Sequence, residues 1–436
     1  MKKIQKIPLY VQIVIALGLA IVVGVILGNF RPVELPAPAL NLEFKAFKEN
    51  VERLALPCTL ILKALRTMAT PLIFLAILNV FMTAEIPSRS GRKLSILLIT
   101  NTLVAIGIGL FVANILRPGA SGGLEVPVGE GAKKVVKQLD PWGLISDLIP
   151  DSILKPLVDN NVISLIFVAL AFGIVLRAIK TEQVNRGQAQ YRSIEEGIGV
   201  LFEAVINILH WIIALVPIAV FGVVAQVIAL KGFEPFKALG LFVLAVIAAL
   251  LLQGAYYLTR VKFGSWVSPL KFIQGGSDAL ITAFSTASST VTMPITFEVL
   301  TEKIGFRKSS ASLGALVGSN FNNDGTALYE AMSALFISQI LGRNLSLVQQ
   351  VLVMLTSIVA SVGAAGIPEA GLVTMTLVFS AVNLPTEYIA ILVTVDWFLD
   401  RCRTAINVMG DMTVTALIDG KHPQRQDEII VADAIE

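Results

Sequence analysis

The chain alternates long apolar runs with short charged connections. A helix needs about 20 apolar residues to cross a hydrocarbon layer roughly 30 Å thick. Six runs reach about that length in the first 260 residues, at roughly 8–30, 54–84, 94–116, 160–178, 198–228 and 237–259. The pattern therefore predicts a membrane protein with six spanning helices in this part of the chain.

Basic residues cluster in every second connection between these runs. Lys2, Lys3 and Lys6 precede the first run, and further basic residues follow the second, fourth and sixth. Cytoplasmic connections carry an excess of lysine and arginine, so we expect a cytoplasmic N-terminus. The first run resembles a signal peptide, but its length and the lack of a clear cleavage site predict a retained helix. The segment 118–143 is predicted to be an external loop.

Two later segments are interrupted by small residues and proline. The segment 268–300 contains a run of small hydroxyl residues and then Pro294, and basic residues flank it on both sides. The segment 346–382 contains SVGAAGIPEAGLVTM with Pro368 at its centre. Non-helical backbone at membrane depth is tolerated only inside protein or beside a water-filled cavity. Each segment is therefore predicted to enter and leave on one side, as an inverted pair of hairpins of the kind that marks a transporter's binding site.

The composition narrows the function classes. The chain has 436 residues, of which 55% are hydrophobic and 15% charged, with a net charge of +3. Soluble proteins average about 25% charged residues. The small net charge does not suggest nucleic acid, and Cys58 and Cys402 cannot form a disulfide framework. With His210 and His422 as the two histidines, a histidine-based catalytic centre is not expected.

The stretch DWFLDRCRTAINVMGD at 396–411 places charges where the surrounding composition predicts hydrocarbon. At 100° per residue the polar side chains occupy one helix face about 80° wide, and Arg401 lies about 140° away. That face consists of Asp396, Asp400, Arg403, Asn407 and Asp411. A charge at membrane mid-depth costs about 2.5–3.5 kcal/mol, so this face is expected to look into the protein.

Two interpretations of this face remain open. Asp400 and Arg403 are three residues apart and can form an internal salt bridge that holds helices together. Alternatively, the planar fork of Arg403 binds a carboxylate in a bidentate manner, while Asp400 binds an ammonium group and Asp411 a cation. The second interpretation fits an acidic amino acid better than a plain dicarboxylate, which would leave Asp400 unpaired.

The stretch SNFNNDGTALYE at 319–330 is a second polar interruption. Its Asx and Gly residues are expected to unwind a helix and release carbonyl oxygens, which hard cations bind; the alternative is an ordinary loop. Glu330 follows in the next helix. It is a candidate proton carrier because burial disfavours the charged form of a carboxylate; the alternative is a solvated, pore-facing glutamate. Thr100, Asn101 and Thr102 in the third run can supply further oxygens.

Four motifs together resemble the glutamate transporter family, the dicarboxylate/amino acid:cation symporters, and most closely its excitatory amino acid transporter branch. STASSTVTMPITF is similar to the family's serine-rich first hairpin tip, and NNDGTALYEA to its NMDGT motif. GAAGIPEAGLVTM is similar to its second hairpin, and DWFLDRCRTAINVMGD to its eighth helix. The order and spacing agree over nearly the whole chain.

The resemblance implies an all-α polytopic membrane protein with eight transmembrane helices and two re-entrant helical hairpins in inverted repeats. It implies a homotrimer with an elevator mechanism and cytoplasmic termini in the cell membrane. The scaffold would comprise 1–90 and 144–230, and 118–143 would be a separate extracellular loop. The transport domain would comprise 91–117 and 231–420. Within it lie the first hairpin at about 268–300, helix seven at about 309–341, the second hairpin at about 346–382 and helix eight at about 384–418. A cytoplasmic tail would follow at 421–436.

The resemblance also implies site residues. Arg403 would bind the substrate's side-chain carboxylate and Asp400 its amino group. The full implied substrate set is Ala287, Ser288, Ser289, Thr290, Thr326, Ile367, Gly371, Asp400, Arg403, Thr404 and Asn407. The implied cation sites are Gly318 with Asn322, Asn407 and Asp411; Asp324 with Asn322, Thr100 and Asn101; and backbone oxygens near Ser361, Val362 and Ala364. Glu330 would carry the proton.

The expected function is secondary active symport of aspartate or glutamate, driven by a cation gradient, without an organic cofactor or nucleic-acid partner. Asn320, Asn323 and Glu369 depart from the family's ion sites. Sodium is the expected coupling ion, with a proton or a divalent cation such as calcium as alternatives. An ion channel would need a continuous polar pore instead of two closed hairpins. An intramembrane enzyme would need a nucleophile with a base, and the sequence offers no histidine near the polar face.

Overall fold

The structure is a computed structural model that describes residues 9–32, 42–83, 88–120, 149–159, 162–363 and 370–422. Every regular element in these ranges is a helix, which confirms the predicted all-helical class. The basic N-terminal residues, most of the predicted external loop and most of the predicted tail lie outside the described residues.

The first half of the chain forms nine helices within the described ranges. A 3₁₀ turn joins α2 to α3, so these two form one continuous helical segment. The helices are α1 (Leu9–Asn29), α2 (Leu42–Glu52), α3 (Leu56–Thr83), α4 (Ser88–Leu116), α5 (Lys155–Asp159), α6 (Val162–Asn185), α7 (Tyr191–Ile213), α8 (Val216–Lys231) and α9 (Glu234–Gly264). The run predicted as a single span at 198–228 is therefore two helices. Pro217 explains this break, because proline is suited to the first turn of a helix and not to its interior.

The second half contains shorter helices and one long one. They are α10 (Pro269–Thr286), α11 (Ser289–Glu298), α12 (Lys308–Ala311), α13 (Gly318–Phe321), α14 (Asp324–Ile340), α15 (Leu347–Gly363), α16 (Ala370–Ala381) and α17 (Ile389–Asp419). Two π-helical segments, Val299–Ile304 and Ser312–Val317, connect α11 to α12 and α12 to α13. Helices α10 and α11 pack against each other, as do α15 and α16.

The first hairpin turns between α10 and α11. Ala287 adopts a left-handed conformation with φ 52°, and it ends α10. The side chain of Ser288 then accepts a hydrogen bond from the Val291 backbone nitrogen, which caps α11. Pro294 lies inside α11. The turn is therefore made by the small residues, and the expectation that Pro294 also interrupts the segment was wrong.

The polar interruption at 319–330 breaks its helix as predicted. Asn322 (φ −93°, ψ 71°) and Asn323 (φ −103°, ψ 49°) leave the helical region between α13 and α14. The alternative of an ordinary loop does not hold, because helix resumes directly at Asp324 and nearly all of α14 is buried. The centre of the second interruption, including Pro368, lies outside the described residues.

Packing divides the helices into two groups. Helices α1, α3, α6, α7 and α8 pack mainly among themselves, whereas α4, α9, α10, α14, α15, α16 and α17 pack around one another. Helices α15 and α16 also contact α3, and α17 contacts α8. The groups meet along these contacts.

Five helical segments in the described ranges are long and apolar enough to cross a membrane by length and composition. They are Val11–Asn29, Leu42–Thr83, Arg92–Leu116, Tyr191–Lys231 and Phe236–Gly264. Helix α17 has 31 residues, but its interior carries the charges of the polar face. Apolar helices as short as Leu347–Ser361 and Gly371–Ala381 flank the second interruption.

Candidate functional site

Arg403 lies at the centre of the polar face of α17. Its side chain is fully buried, at 0% exposure. The Nη1 atom lies 3.0 Å from Oδ1 of Asp396, and Nη2 lies 2.7 Å from Oδ1 of Asp400. One guanidinium therefore contacts two buried carboxylates, so that the internal salt bridge considered from the sequence exists here. The cluster carries one net negative charge, and its three side chains are within reach of one another.

Two other helices enclose the guanidinium. The Tyr329 ring of α14 lies 4.0 Å from Cζ of Arg403, a distance suited to a cation–π interaction. Gly371 of α16 lies on another side, where a methyl group on its Cα would come within 3.1 Å of Nη1. The absence of a side chain at Gly371 thus allows the hairpin backbone to approach Arg403 closely.

Asn407 connects α17 to the unwound segment. Its Oδ1 accepts a hydrogen bond from the Gly325 nitrogen at 2.7 Å, and its Nδ2 lies 3.3 Å from Oγ1 of Thr326. Nδ2 is also 3.3 Å from Oδ1 of Asn323. Thr404 donates to the Asp400 carbonyl oxygen at 2.8 Å. The structure therefore places Thr404 beside Asp400, and Asn407 beside Thr326 and Asn323. Their role as a polar shell around the substrate stays a prediction.

The first hairpin reaches α17 through a residue outside the predicted stripe. Nη1 of Arg401 donates to the carbonyl oxygens of Phe284 and Ser285 at 3.0 and 2.5 Å. These carbonyls belong to the last turn of α10, where cations are favoured. The hairpin residues Ala287, Ser288 and Ser289 are buried, whereas the predicted substrate residue Thr290 is exposed.

Asp411 and Gly318 meet between α17 and α13. A methyl group on Gly318 would lie 3.0 Å from Oδ1 of Asp411. In the described part of the chain, neither Oδ1 of Asp411 nor Oδ1 of Asn322 has a hydrogen-bond partner, although both are buried. Nδ2 of Asn322 donates to the Asn407 carbonyl oxygen at 3.1 Å. One carboxylate with neutral oxygens and room beside a glycine fits a hard cation.

Asp324 forms a separate cluster with α4 and α9. Its Oδ1 accepts a hydrogen bond from Oγ1 of Thr102 at 2.6 Å, and its Oδ2 accepts one from the Tyr257 hydroxyl. Thr100 does not join this cluster, because its hydroxyl donates to the Ile96 carbonyl oxygen on an exposed face. Of the predicted third-run residues, Asn101 is buried and accepts from the Arg260 guanidinium.

The third implied cation site is described only in part. Nδ2 of Asn323 donates to the Ser361 carbonyl oxygen at 2.8 Å, so this departure from the family pattern contacts the second hairpin. Val362 lies in α15, but its side chain is not described. Ala364, Ile367 and Glu369 lie outside the described residues, as does the side chain of Asn320.

Glu330 is fully buried in α14, at 0% exposure. Its Oε1 accepts a hydrogen bond from the Thr374 hydroxyl of α16. In the described part of the chain, Oε2 has no hydrogen-bond partner. The alternative of a solvated, pore-facing glutamate therefore does not hold in this structure.

Thr102 contacts Asp324, although the sequence pattern did not assign it to a site. Four further residues contact site residues and were not predicted to do so. Thr102 lies two residues beyond Thr100, and the sequence does not reveal which face of α4 turns toward α14. The missed residues are Tyr257, Tyr329, Thr374 and Arg401. The recognisable signal for Tyr329 was its position one residue before Glu330 in a polar segment.

Comparison with known proteins decides the family. Residues 9–421 match the sodium:dicarboxylate symporter family. The chain belongs to this family. The family consists of transporters, which confirms the resemblance stated from the motifs and the expectation that the chain is not an enzyme. Membership also supports a multi-pass membrane protein, in agreement with the apolar helices.

Relatives within the family include excitatory amino acid transporters. The chain is 35% identical to excitatory amino acid transporter 3 of Mus musculus over 277 residues, which cover 63% of this chain and 51% of the relative. It is 30% identical to excitatory amino acid transporter 2 of Mus musculus over 449 residues, covering 89% and 76%. A third relative, excitatory amino acid transporter 4 of Mus musculus, is 38% identical over 262 residues, covering 59% and 45%. The first of these matches thus spans about half of the relative.

Proposed function

We propose that the chain is a secondary active symporter that takes up aspartate or glutamate with sodium. The observation that carries this proposal is the buried Arg403 guanidinium held between Asp396 and Asp400. Family membership and the names of the relatives support cation-coupled uptake of an acidic amino acid.

When an acidic amino acid binds in this proposal, it replaces the internal ion pair between Arg403 and Asp400 by two ion pairs with the substrate. Its side-chain carboxylate takes the Nη2 side of Arg403, and its ammonium group takes Asp400. Asp396 stays on Nη1 and holds the guanidinium in place. A neutral amino acid has no side-chain carboxylate and would leave the Nη2 side of Arg403 without a partner, because buried charges need partners.

The cation binds beside the substrate in this proposal. Asp411, Gly318, Asn322 and the Asn407 carbonyl surround one position for sodium. The described residues contain no group of three or more His, Cys, Asp or Glu side chains that could hold a metal. The proposed position itself has one carboxylate, that of Asp411, which favours a monovalent ion over a divalent one, because divalent sites gather more carboxylate charge.

The two packing groups support an elevator mechanism. In this proposal α1, α3, α6, α7 and α8 form a scaffold that holds a homotrimer together. Helices α4, α9, α10 and α14–α17 carry the bound substrate across the cell membrane, and both termini are cytoplasmic. The charges move inside protein throughout, which avoids the cost of exposing them to lipid.

Uptake by Arg403→Thr in proteoliposomes tests the substrate role. We expect loss of aspartate uptake and a gain of neutral amino acid uptake, because the anion-selective group is gone and Asp400 remains for the ammonium. Arg186→Thr is the matched control, since Arg186 pairs with Glu182 on the surface. Unchanged aspartate uptake without a gain for neutral amino acids would refute the assignment.

The proton role of Glu330 has its own test. In this proposal Glu330 binds a proton that travels with the substrate. Glu330→Gln mimics the protonated form, so uptake should lose its dependence on pH. If the variant keeps the wild-type pH profile, Glu330 is not the proton carrier. Uptake driven in turn by sodium, proton, potassium and calcium gradients identifies the coupling ion independently.

A further inference from the structure

One turn of the second hairpin contacts both charged centres of the proposed site. Gly371, at the start of α16, lies against the guanidinium of Arg403. Thr374, three residues later, donates its hydroxyl hydrogen to Glu330. Both residues are buried within the protein. The backbone between them therefore joins the group that would select the substrate to the group that would carry the proton.

The Thr374 hydroxyl has one hydrogen and more than one acceptor within reach. One acceptor is Oε1 of Glu330, and another is the Gly371 carbonyl oxygen at 3.2 Å. An ionised carboxylate accepts hydrogen bonds only, so it draws the hydroxyl hydrogen toward itself. A protonated carboxyl can donate instead, and the hydroxyl hydrogen is then available to Gly371. The protonation state of Glu330 thus sets the direction of a hydrogen bond that ends next to Arg403.

The hydrogen bond from Thr374 is the one that the structure gives for the Glu330 carboxylate within the described residues. Among the described residues, the charged group that faces Glu330 is Arg403 of α17, which is itself paired with Asp396 and Asp400. Helices α15 and α16 contain no Asp, Glu, Lys, Arg or His between their described ends. On α14 itself the other carboxylate is Asp324, nearly two turns away. The charged residues of α4 and α9 are near the helix ends, at Arg89, Arg92, Lys93, Glu234, Lys237, Arg260 and Lys262.

We propose that Thr374 is a positioning residue that transmits the protonation of Glu330 to the second hairpin and so to the substrate carboxylate on Arg403. The proposal rests on the proposed symport function and on the proton role of Glu330. Ionised Glu330 pulls Thr374, and with it this turn of α16, toward α14. Protonated Glu330 releases that charge-assisted bond and lets the turn settle against Arg403.

Thr374→Val tests the proposal because valine keeps the shape and removes the hydroxyl. A hydroxyl that donates to a carboxylate favours its charged form, so the loss should favour the neutral form. We expect the pH at which aspartate uptake is half-maximal to move upward by about one unit. Thr374→Ser retains the hydroxyl and should restore the wild-type profile.

Thr376→Val is the matched control on the same helix. Thr376 is equally buried, but its hydroxyl donates to the Val373 carbonyl oxygen at 2.6 Å. The proposal is overturned if Thr374→Val and Thr376→Val give the same pH profile, or if Thr374→Ser behaves like the valine variant. Should the valine variant fail to fold, Thr374→Ala removes the same hydroxyl and is judged by the same criteria.

The pH profile of uptake by Glu330→Gln distinguishes failure of the Thr374 proposal from failure of the proposed function. If Glu330→Gln abolishes the pH dependence and Thr374→Val leaves it at the wild-type value, only the role of Thr374 is wrong. If Glu330→Gln also keeps the wild-type profile, the proton role itself is wrong and the inference falls with it. Aspartate-induced changes in melting temperature, measured against pH, provide a binding readout that does not require transport.

Discussion

Replacement of Asp396 by asparagine tests how the protein holds the Arg403 guanidinium, which we propose selects the substrate. Asp396 is 1% exposed, and its Oδ1 lies 3.0 Å from Nη1 of Arg403. Asparagine preserves the shape and removes the charge. With one carboxylate left, Arg403 is free to turn both of its nitrogens toward Asp400, and the substrate must then break a bidentate pair in order to bind.

The size of the effect follows from the lost interaction. A hydrogen bond to a charged group contributes about 1.5–3 kcal/mol. Each 1.4 kcal/mol corresponds to about a tenfold change in affinity. We therefore expect Asp396→Asn to raise the KM for aspartate by about 10- to 100-fold in proteoliposomes. Uptake at saturating substrate should fall less, because the groups that contact the substrate are retained.

Asp278→Asn is the control for removing a carboxylate from an ion pair. Asp278 pairs with Lys303 on the surface, where both side chains are about half exposed and such pairs contribute little. Its KM should match that of the wild type. An unchanged KM for Asp396→Asn in a folded protein would show that Asp396 does not hold Arg403 in place. A lower KM would show that Asp396 competes with the substrate.

Two further predictions concern the cation oxygens. Gly318→Ala places a methyl group 3.0 Å from Oδ1 of Asp411, so half-maximal uptake should need several-fold more sodium. Gly240 has open space around it, so Gly240→Ala should match the wild type. Equal sodium dependence in both variants would rule out this position for the ion. Thr102→Val removes the hydroxyl that donates to Asp324, so uptake should depend less on the sodium concentration, whereas Thr100→Val should leave this dependence unchanged. An effect of Thr100→Val without an effect of Thr102→Val would show that α4 turns its other face toward α14.

The sequence predicted the elements whose signal is local. The charged face of α17 follows from residue spacing alone, since a helix places Asp396, Asp400 and Arg403 on one side. The break at Asn322 and Asn323 follows from Asx residues beside glycine. These signals were sufficient to predict a helical membrane transporter. Charges and broken helices are costly in hydrocarbon, so their presence there indicates a functional site inside the protein.

Contacts between distant segments could not be predicted in the same way. Arg401 lies outside the polar face of α17, yet it binds carbonyls at the end of α10 more than 100 residues earlier. Thr102 and Thr100 differ by 200° of helix rotation, and only the packing of α4 on α14 decides between them. The break between α7 and α8 is a local feature that was also missed, because it lies in an apolar run whose local signal is Pro217.

Asn407 gives cation and substrate binding a physical reason to be coupled. Its carbonyl oxygen accepts from Asn322, whose own Oδ1 is buried without a hydrogen-bond partner among the described residues, and its side chain contacts Thr326. An ion that orders Asn322 therefore also orders the backbone and side chain of Asn407, before any substrate arrives. Coupling of this kind is reciprocal, so the factor by which sodium raises aspartate affinity must equal the factor by which aspartate raises sodium affinity. In the proposed function, the break in the helix thus lets both ligands depend on one shared residue.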